Sequence, residues 1–287
     1  MKTLIALLSA SVLLGACSAA SDDTAAPKTV AEISLSEGWV LSGFNEPESI
    51  IPDGSGGYFV SNVNGQGRDK DGNGYISRIS SDGKMVTQQW ADGLDAPKGM
   101  ALWKGTLYVT DIDRLVMIDS KSGDIINSIT VPEASFFNDV AASDKGVFVS
   151  DSGKALIRRV DGDTLPIWLE DIQLNRINGL LPQDGGMLVT TMAEGDLLSI
   201  DWSDKSITAL ATGMINADGL GKRPDGSFLV SSYPGQIWHA QTGQPPRKLL
   251  DTSGEAGINH NDTLFEDSRV LSPNWQPGTV REYLIVE

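Results

Sequence analysis

The chain of 287 residues has one cysteine, two histidines and few basic residues, with 22 Lys and Arg against 38 Asp and Glu. A single cysteine excludes a disulfide within the chain, so stability must come from a packed core, which this length can supply. The net charge of −16 argues against charge-driven binding to nucleic acid or to an anionic membrane. Beyond the first residues no apolar run reaches eighteen residues, and we therefore expect no transmembrane helix.

The first 29 residues have the pattern of an export signal followed by a tether. In "MKTLIALLSASVLLGAC", Lys2 precedes an apolar run that is too short to span a bilayer and is typical of a signal peptide. Residues 14–17, "LGAC", resemble the bacterial lipobox, in which a peptidase cuts before a lipidated cysteine. We expect a lipoprotein signal peptide over residues 1–16, lipidation at Cys17 and a flexible tether over residues 17–29. The alternative is an ordinary signal followed by a chance cysteine.

This arrangement predicts a protein of a bacterial cell envelope, held by lipid and facing the periplasm. We expect the outer membrane rather than the inner one, with the lipid anchor as the only membrane contact.

Strand-like runs rich in Val, Phe, Leu and Thr repeat after residue 30. Six of them are variants of one strand: "GGYFVSN" (56–62), "GTLYVTD" (105–111), "KGVFVSD" (145–151), "GGMLVTT" (185–191), "GSFLVSS" (226–232) and "SRVLSPN" (268–274). A second apolar run precedes each, and its leading polar residue recurs at spacings of 50, 40, 40, 40 and 43. A period near forty with about four strands per unit is typical of a propeller blade.

We predict an all-β fold over residues 30–287, a six-bladed β-propeller with four-stranded antiparallel blades. The last unit supplies about three strands, and a strand from residues 30–41 would complete it and close the ring. A β-sandwich or a barrel is the alternative, but neither explains successive spacings of forty.

The recurring polar residues are predicted to face one another, since the first strand of each blade lines the central channel. These ring residues are Glu48, Lys98, Asn138, Asn178, Asp218 and Asn261. Their carboxylate and amide oxygens suit Ca²⁺ or Mg²⁺, and the lack of His and Cys argues against structural zinc. Each residue could instead cap a strand, because Asn-Gly and Asp-Gly are common turn pairs. Turn chemistry alone does not require the same offset in every blade.

Four motifs at blade spacing resemble the senescence-marker-protein, gluconolactonase and luciferin-regenerating-enzyme family, the regucalcin-like six-bladed propellers. They are Pro47-Glu48-Ser49, Phe137-Asn138-Asp139, Ile177-Asn178-Gly179 and Ala217-Asp218-Gly219-Leu220, and the similarity covers about residues 45–284. The resemblance implies a channel cation, Ca²⁺ before Mg²⁺, on Glu48, Asn178 and Asp218. It also implies hydrolysis of sugar lactones and related cyclic esters, with Asn138 touching the substrate.

Such a site has a plausible chemistry and two departures from the family pattern. A cation would polarise an ester carbonyl, Asp218 or Glu48 could accept a proton, and Asn138 could stabilise the oxyanion. Phe136 stands where sugar-handling members carry Arg, which indicates a less polar substrate than a simple aldonolactone. Lys98 puts an ammonium beside the predicted cation. It could pair with a carboxylate, bind a substrate carboxylate or act as a base.

The sequence therefore predicts a metal-dependent hydrolase of a lactone or small ester, acting on a small molecule as a monomer. The candidate catalytic residues are Asp218, Asn138 and Lys98, and the candidate substrate-binding residues are Asn138, Phe136, Asn261 and His260. His260 could be a general base or a hydrogen-bonded loop residue. The alternative function is a non-catalytic, envelope-anchored propeller that binds a ligand or a protein. A third interpretation is a relative of strictosidine-synthase-like propellers with a non-hydrolytic reaction.

Residues 69–77, "DKDGNGYIS", resemble the first half of an EF-hand calcium loop. The twelfth position is Ser80 rather than Glu, and no helix is predicted on either side. The segment is therefore predicted to be a long hairpin loop between the second and third strands of the first blade, and a weak surface calcium site there is a separate hypothesis. Asp111 and Asp151, at the ends of second strands, are expected to bond backbone groups.

Overall fold

The computed structural model describes residues 32–254 and 258–287. The predicted signal peptide, Cys17 and tether lie outside these residues. The described chain forms 24 strands and one 3-10 turn, Ile172–Leu174. Six four-stranded antiparallel sheets make a six-bladed β-propeller, as the forty-residue repeat predicts.

Within each of the first five blades the chain runs from the channel outward. Blade 1 contains β2 (Pro47–Pro52), β3 (Gly57–Asn62), β4 (Gly74–Ser80) and β5 (Met85–Leu94). Blade 2 contains β6 (Pro97–Trp103), β7 (Thr106–Asp111), β8 (Arg114–Asp119) and β9 (Ile125–Thr130). Blade 3 contains β10 (Phe137–Ser143), β11 (Gly146–Asp151), β12 (Leu156–Arg159) and β13 (Ile167–Glu170).

The remaining strands follow the same order until the last blade. Blade 4 contains β14 (Ile177–Pro182), β15 (Gly186–Thr191), β16 (Leu197–Asp201) and β17 (Ile207–Ala211), and blade 5 contains β18 (Ala217–Lys222), β19 (Phe228–Ser232), β20 (Gln236–Ala240) and β21 (Arg247–Asp251). Blade 6 contains β22 (Leu264–Phe265), β23 (Arg269–Asn274) and β24 (Thr279–Val286), with β1 (Ser34–Ser42) at its outer edge.

The ring closes through β1, the strand nearest the amino terminus of the described chain. It pairs antiparallel with β24, from Ser34 opposite Val286 to Ser42 opposite Thr279. The outer edge of blade 6 is therefore supplied by the other end of the chain, as predicted from the missing strand.

The burial of each strand follows its place in the blade. The second strands are buried on both faces, as the pattern of β3 shows, because a neighbouring blade packs on each side. Outer strands such as β5 are mostly exposed. This difference explains why the second strands carry the repeated apolar motif and the outer strands do not.

The hydrophobic core is divided into layers between neighbouring blades. One layer joins blades 3 and 4 through residues such as Phe148 and Leu198, and another joins blades 1 and 2 through Phe59 and Leu107. Four further clusters fill the other junctions. No helix in the described part of the chain is long and apolar enough to cross a membrane.

Candidate functional site

The ring residues are aimed into the channel by a β-bulge in each innermost strand of blades 1 to 5. In blade 1, Pro47 pairs with Asn62 and Ile50 pairs with Val60, so two residues, Glu48 and Ser49, oppose Ser61 alone. The same shift occurs in blades 2 to 5. A bulge re-aims the side chains that it carries, and here the first bulged residue of each blade is a ring residue.

The hydroxyl residue opposite each bulge explains why Ser or Thr recurs near the end of the repeated strand. Ser61 Oγ accepts the amide of Ser49 at 2.9 Å, and Thr190 Oγ1 accepts that of Gly179 at 2.9 Å. Ser150 and Ser231 accept the corresponding amides in blades 3 and 5. The hydroxyl satisfies a buried backbone group that the bulge removes from the strand ladder.

All six ring residues line one cavity of about 550 Å³ at the channel mouth. Each is buried, with an exposed fraction of 3% to 8%. Phe136, predicted to contact substrate, is also on this wall. The structure thus brings together every residue of the predicted site except His260.

Two carboxylate oxygens in the ring have no hydrogen-bond partner. They are Glu48 Oε2 and Asp218 Oδ1, and both are inaccessible to solvent. A buried, unpaired carboxylate oxygen is costly, which points to a ligand at this place.

The electrostatics of the channel also favour a cation. Burial raises the pKa of Glu48 to about 8; the charge of Lys98 opposes this shift and that of Asp262 adds to it. Burial raises the pKa of Asp218 well above its usual range, and the charges of Glu48, Asp262 and Asp139 raise it further. A cation bound beside Glu48 and Asp218 would oppose both shifts, because a nearby positive charge favours the ionised form of a carboxyl group.

A divalent cation fits the residues present as a mixed set of oxygen ligands. Among the described residues no three or more His, Cys, Asp and Glu side chains group as a metal cage. The set would therefore be the carboxylates of Glu48 and Asp218 with the amide oxygen of Asn178, which lines the same cavity and opposes the rise in the pKa of Asp218. Hard oxygen ligands of this kind suit Ca²⁺ or Mg²⁺.

The other two ring amides are held by protein groups. Asn138 Nδ2 lies 3.3 Å from Ser152 Oγ, and Asn261 Nδ2 donates to the Pro47 carbonyl at 3.1 Å. Each amide therefore keeps its oxygen and one N–H for the cavity. Asn138 retains both capacities that a substrate contact needs.

Lys98 forms no direct ion pair with a carboxylate of the described chain, although the charge of Glu48 acts on it. Its ammonium donates to the Ala96 carbonyl at 3.3 Å and lies 4.9 Å from the centre of the Phe136 ring. Burial lowers the pKa of Lys98. Of the roles considered for Lys98, pairing with a carboxylate is therefore limited to an interaction with Glu48 at longer range than a direct ion pair.

His260 lies behind the channel wall and does not line the cavity. Its Nδ1 is within hydrogen-bond distance of Ser272 Oγ and of Asn274 Nδ2, and its ring packs edge-on against Tyr283. Burial lowers its pKa to about 4, and the charge of Arg281 adds to this. The structure gives His260 a place in the core of blade 6 rather than among groups that could touch a substrate.

Two different hydrogen-bonding arrangements hold the segment that precedes the innermost strand of blades 1 to 5, and blades 1, 4 and 5 share the first of them. Glu46, Arg176 and Asn216 adopt left-handed backbone conformations two residues before Glu48, Asn178 and Asp218. Their carbonyls accept the amides of Val63, Met192 and Tyr233. The three predicted cation ligands therefore share a local backbone geometry.

In blades 2 and 3 a side-chain carboxylate, rather than a backbone carbonyl, holds the segment before the innermost strand. Asp111 accepts the amides of Asp95 and Ala96, and Asp151 accepts those of Ser135 and Phe136. This confirms that Asp111 and Asp151 bond backbone groups.

The inserted loop of blade 1 has a role at the site that its calcium-like sequence does not indicate. Asp71 accepts both the backbone and the side-chain N–H of Asn73, so these two residues form a turn rather than an open ligand shell. The part before it places Gly67 and Arg68 on the cavity wall. The Arg68 guanidinium lies 4.2 Å from the centre of the Phe136 ring.

Other cavity residues were not predicted from the sequence. They are Ser152, Gly153, Arg176, Met192, Asn216 and Tyr233. These residues lie in loops between strands, outside the apolar runs that define the repeat. For Ser152, Arg176, Met192, Asn216 and Tyr233, a signal was available in their fixed offset from a ring residue or a second strand.

Comparisons with known proteins show the fold. No protein-family model matches the chain, and a search of curated proteins found no match. A protein of solved structure described as a candidate gluconolactonase shares 14% identity, with 89% of this chain and 93% of that chain covered and a TM-score of 0.64. A virginiamycin B lyase from Staphylococcus aureus, solved with quinupristin, shares 13% identity over 89% of this chain and 100% of that chain, with a TM-score of 0.61.

A protein of unknown function from Bacteroides thetaiotaomicron gives a similar result, with 12% identity, 89% and 76% coverage and a TM-score of 0.60. At these identities the similarities establish a shared architecture. The chemistry of this chain has to be argued from its own site.

Proposed function

We propose that this protein is a divalent-cation-dependent hydrolase that opens a lactone or cleaves another small ester at the channel mouth. The observation that carries the proposal is the pair of buried, unpartnered oxygens, Glu48 Oε2 and Asp218 Oδ1, on the wall of a cavity of about 550 Å³. The structural similarity to a candidate gluconolactonase supports a propeller of this type.

Glu48, Asn178 and Asp218 would hold the cation. A bound divalent ion polarises an ester carbonyl and lowers the pKa of water, which is the chemistry that these ligands would bring to the site. Glu48 and Asp218 are also the carboxylates that lie at the site and could accept a proton during hydrolysis. The remaining N–H of Asn138 is available to stabilise negative charge on the carbonyl oxygen.

The wall above the ring would orient the substrate and exclude water. Phe136, Trp275 and Met192 give the cavity apolar surface. A flat or apolar ester fits this wall better than a polyhydroxylated sugar lactone.

The test is a hydrolysis screen of the chain from Ser18 to Glu287, which contains the whole propeller. The panel is δ-gluconolactone, γ-butyrolactone, phthalide and phenyl acetate, each with Ca²⁺, with Mg²⁺ and after removal of divalent ions on chelating resin. We expect cation-dependent turnover, and a fall of at least about 100-fold in kcat/KM for Asp218→Asn.

The matched control is Asp184→Asn, which makes the same change at an exposed turn between β14 and β15. It should hydrolyse the substrates like the parent chain. Equal turnover with and without divalent ions, or equal turnover in Asp218→Asn, would contradict the proposal.

Ligand binding without turnover is the second candidate function, and Lys98 is the observation that favours it. Its ammonium lies close enough to Glu48 for each to shift the pKa of the other. A positive charge there competes with a cation and suits recognition of an anion. Saturable binding of a panel compound with no hydrolysis under any cation would support this function.

A lyase that uses a histidine base is disfavoured by the placement of both histidines. His260 and His239 are buried, and neither lines the channel cavity. The Staphylococcus aureus lyase is described as inactive when a histidine is changed to alanine.

We also propose that Cys17 is lipidated and holds the propeller at a bacterial envelope membrane. The sequence "LGAC" at residues 14–17 supports this proposal. Cells expressing the full chain should incorporate labelled palmitate into the protein, and Cys17→Ser should remove both the label and the membrane association. Retention of the label in Cys17→Ser would contradict it.

A further inference from the structure

The channel mouth carries a group of cations beside the apolar wall, in a protein with a net charge of −16. Lys98, Arg68 and Arg176 all line the cavity. None of them forms an ion pair with a carboxylate within the described chain. Their charges are therefore available to whatever enters the cavity.

Lys98 is the buried member of this group, with 3% of its surface exposed. An ammonium has three N–H donors, and the described hydrogen bonds use one of them, to the Ala96 carbonyl. A buried cation with unused donors is costly, so this position is suited to an anionic partner.

The space beside the ammonium is kept open by Gly67. A Cβ at this position would lie 3.4 Å from Lys98 Nζ and 3.9 Å from the Trp275 ring. Arg68, the next residue, stacks on Phe136 and donates to the Ser135 carbonyl at 3.0 Å. The loop from blade 1 thus supplies both the gap and a second cation at one place.

We propose that this loop and Lys98 form an anion subsite, and that the ligand of the cavity carries a carboxylate on a flat, apolar body. The ester group of this ligand rests on the proposed hydrolase function, whereas the carboxylate is inferred from Lys98 and the loop alone. A carboxylate at Lys98 and Arg68 would leave an attached lactone in the same cavity as Glu48, Asn178 and Asp218.

A singly charged carboxylate fits this subsite better than a doubly charged phosphate. Lys98 is the only buried cation of the three, and Glu48 and Asp218 lie in the same channel. A doubly charged phosphate would bring more negative charge into this buried place than the single ammonium of Lys98 can balance. The aromatic wall of Phe136 and Trp275 suits the apolar body.

The test uses 5-carboxyphthalide and its uncharged analogue, the primary amide. Titration calorimetry of the chain from Ser18 to Glu287, stripped of divalent ions on chelating resin, measures binding separately from cation-dependent hydrolysis. We expect the carboxylate to bind at least about tenfold more tightly than the amide.

Three variants locate the preference. Lys98→Met should remove it, with a loss of at least about tenfold for the carboxylate and little change for the amide. Gly67→Val fills the space beside the ammonium while keeping the charge, and it should weaken binding of the carboxylate. Lys145→Met removes the same charge at an exposed turn between β10 and β11 and should bind both compounds like the parent chain.

Equal affinity for the two compounds would overturn the proposal, as would a preference that survives in Lys98→Met. The two proposals can fail separately. If the carboxylate binds more tightly but no compound is hydrolysed with any cation, the anion subsite is supported and the hydrolase proposal is contradicted. If phthalide and its derivatives are hydrolysed but the carboxylate binds no more tightly than the amide, the hydrolase proposal is supported and the anion subsite is contradicted.

Discussion

At the scale of single residues, the function of each ring position depends on the bulge that carries it. Thr190 and its counterparts satisfy the backbone that the bulge exposes, so a polar side chain can face the channel without breaking the blade. The two carboxylates among the ring residues are held in a buried place where their own pKa values favour protonation. A site of this kind stores unfavourable electrostatics that a bound cation relieves.

His260 provides a prediction about stability and pH. Its pKa falls from 6.5 to about 4 on folding because burial disfavours the charged ring. The unfolded chain therefore binds a proton first as the pH falls. The stabilisation is fully present above pH 6.5 and is lost between about 6.5 and 4, a change of about 3 kcal/mol.

The measurement is urea unfolding of the parent chain and of His260→Asn at several pH values. Because the carboxylates common to both proteins cancel in the difference, the difference in unfolding free energy should shrink by about 3 kcal/mol as the pH falls. A difference that does not change with pH would show that His260 is not buried as a neutral ring.

Much of the site could be predicted because the repeat marks it. A polar residue recurs at the same position of every blade, as Glu48 in the first and Asp218 in the fifth, and the structure brings these residues to one cavity. Arg68 could not be predicted, since it lies in an insertion that only blade 1 has. His260, a candidate substrate-binding residue, does not line the cavity, and its hydrogen bonds to Ser272 and Asn274 agree with the alternative of a hydrogen-bonded residue. Adjacency to Asn261 in sequence does not show which way its side chain points.

At the scale of elements, the second strands of blades 2, 4 and 5 link the bulge of their own blade to the next blade. Thr190 Oγ1 accepts the amide of Gly179 and also bonds the carbonyl of Asp218 in the neighbouring blade. Thr110 and Ser231 make the corresponding bonds to Asn138 and Asn261. In these three blades the hydroxyl thus ties the bulge to the ring residue of the next blade.

Thr190→Val tests this link, since it keeps the shape and removes the hydroxyl. Loss of both bonds leaves a buried N–H and a buried carbonyl without this partner, and we expect a loss of about 1–3 kcal/mol in unfolding free energy. Urea unfolding is the measurement. Thr208→Val, the same change on the exposed outer strand of the same blade, should have little effect. A similar small effect in both variants would contradict the link.

The strand boundaries were predictable within one or two residues where a turn glycine or Asp-Gly pair precedes a buried run. Residues 105–111 were predicted and β7 is Thr106–Asp111. The innermost strand of blade 6 was less regular than expected. β22 contains Leu264 and Phe265 alone, while His260 makes an isolated bridge to Asn274.

At the scale of the whole molecule, the closed ring is what brings six distant residues to one cavity. β1 pairs along β24, and Ile33, just before it, is buried with Tyr283 and Ile237. Without this closure the edge of β24 would be open to solvent and to other chains.

Two truncations test the closure. A chain that begins at Gly43 lacks β1 and should not fold to a stable monomer, because the lost pairing and burial exceed the net stability of about 5–15 kcal/mol that is typical of domains. A chain that begins at Glu32 retains β1 and should behave like the chain from Ser18. Size-exclusion chromatography and circular dichroism report both. A stable monomer from the Gly43 chain would contradict this role of β1.

The most direct test of the whole account is calorimetric titration of Ca²⁺ into the chain from Ser18 to Glu287, freed of divalent ions. We predict saturable binding at the channel ring that is lost in Asp218→Asn, because Asp218 Oδ1 is one of the two carboxylate oxygens of the ring residues that are buried without a partner. Asp184→Asn should bind as the parent chain does. Absence of binding by the parent chain to both Ca²⁺ and Mg²⁺, or unchanged binding by Asp218→Asn, would contradict the central claim that this ring is a cation site.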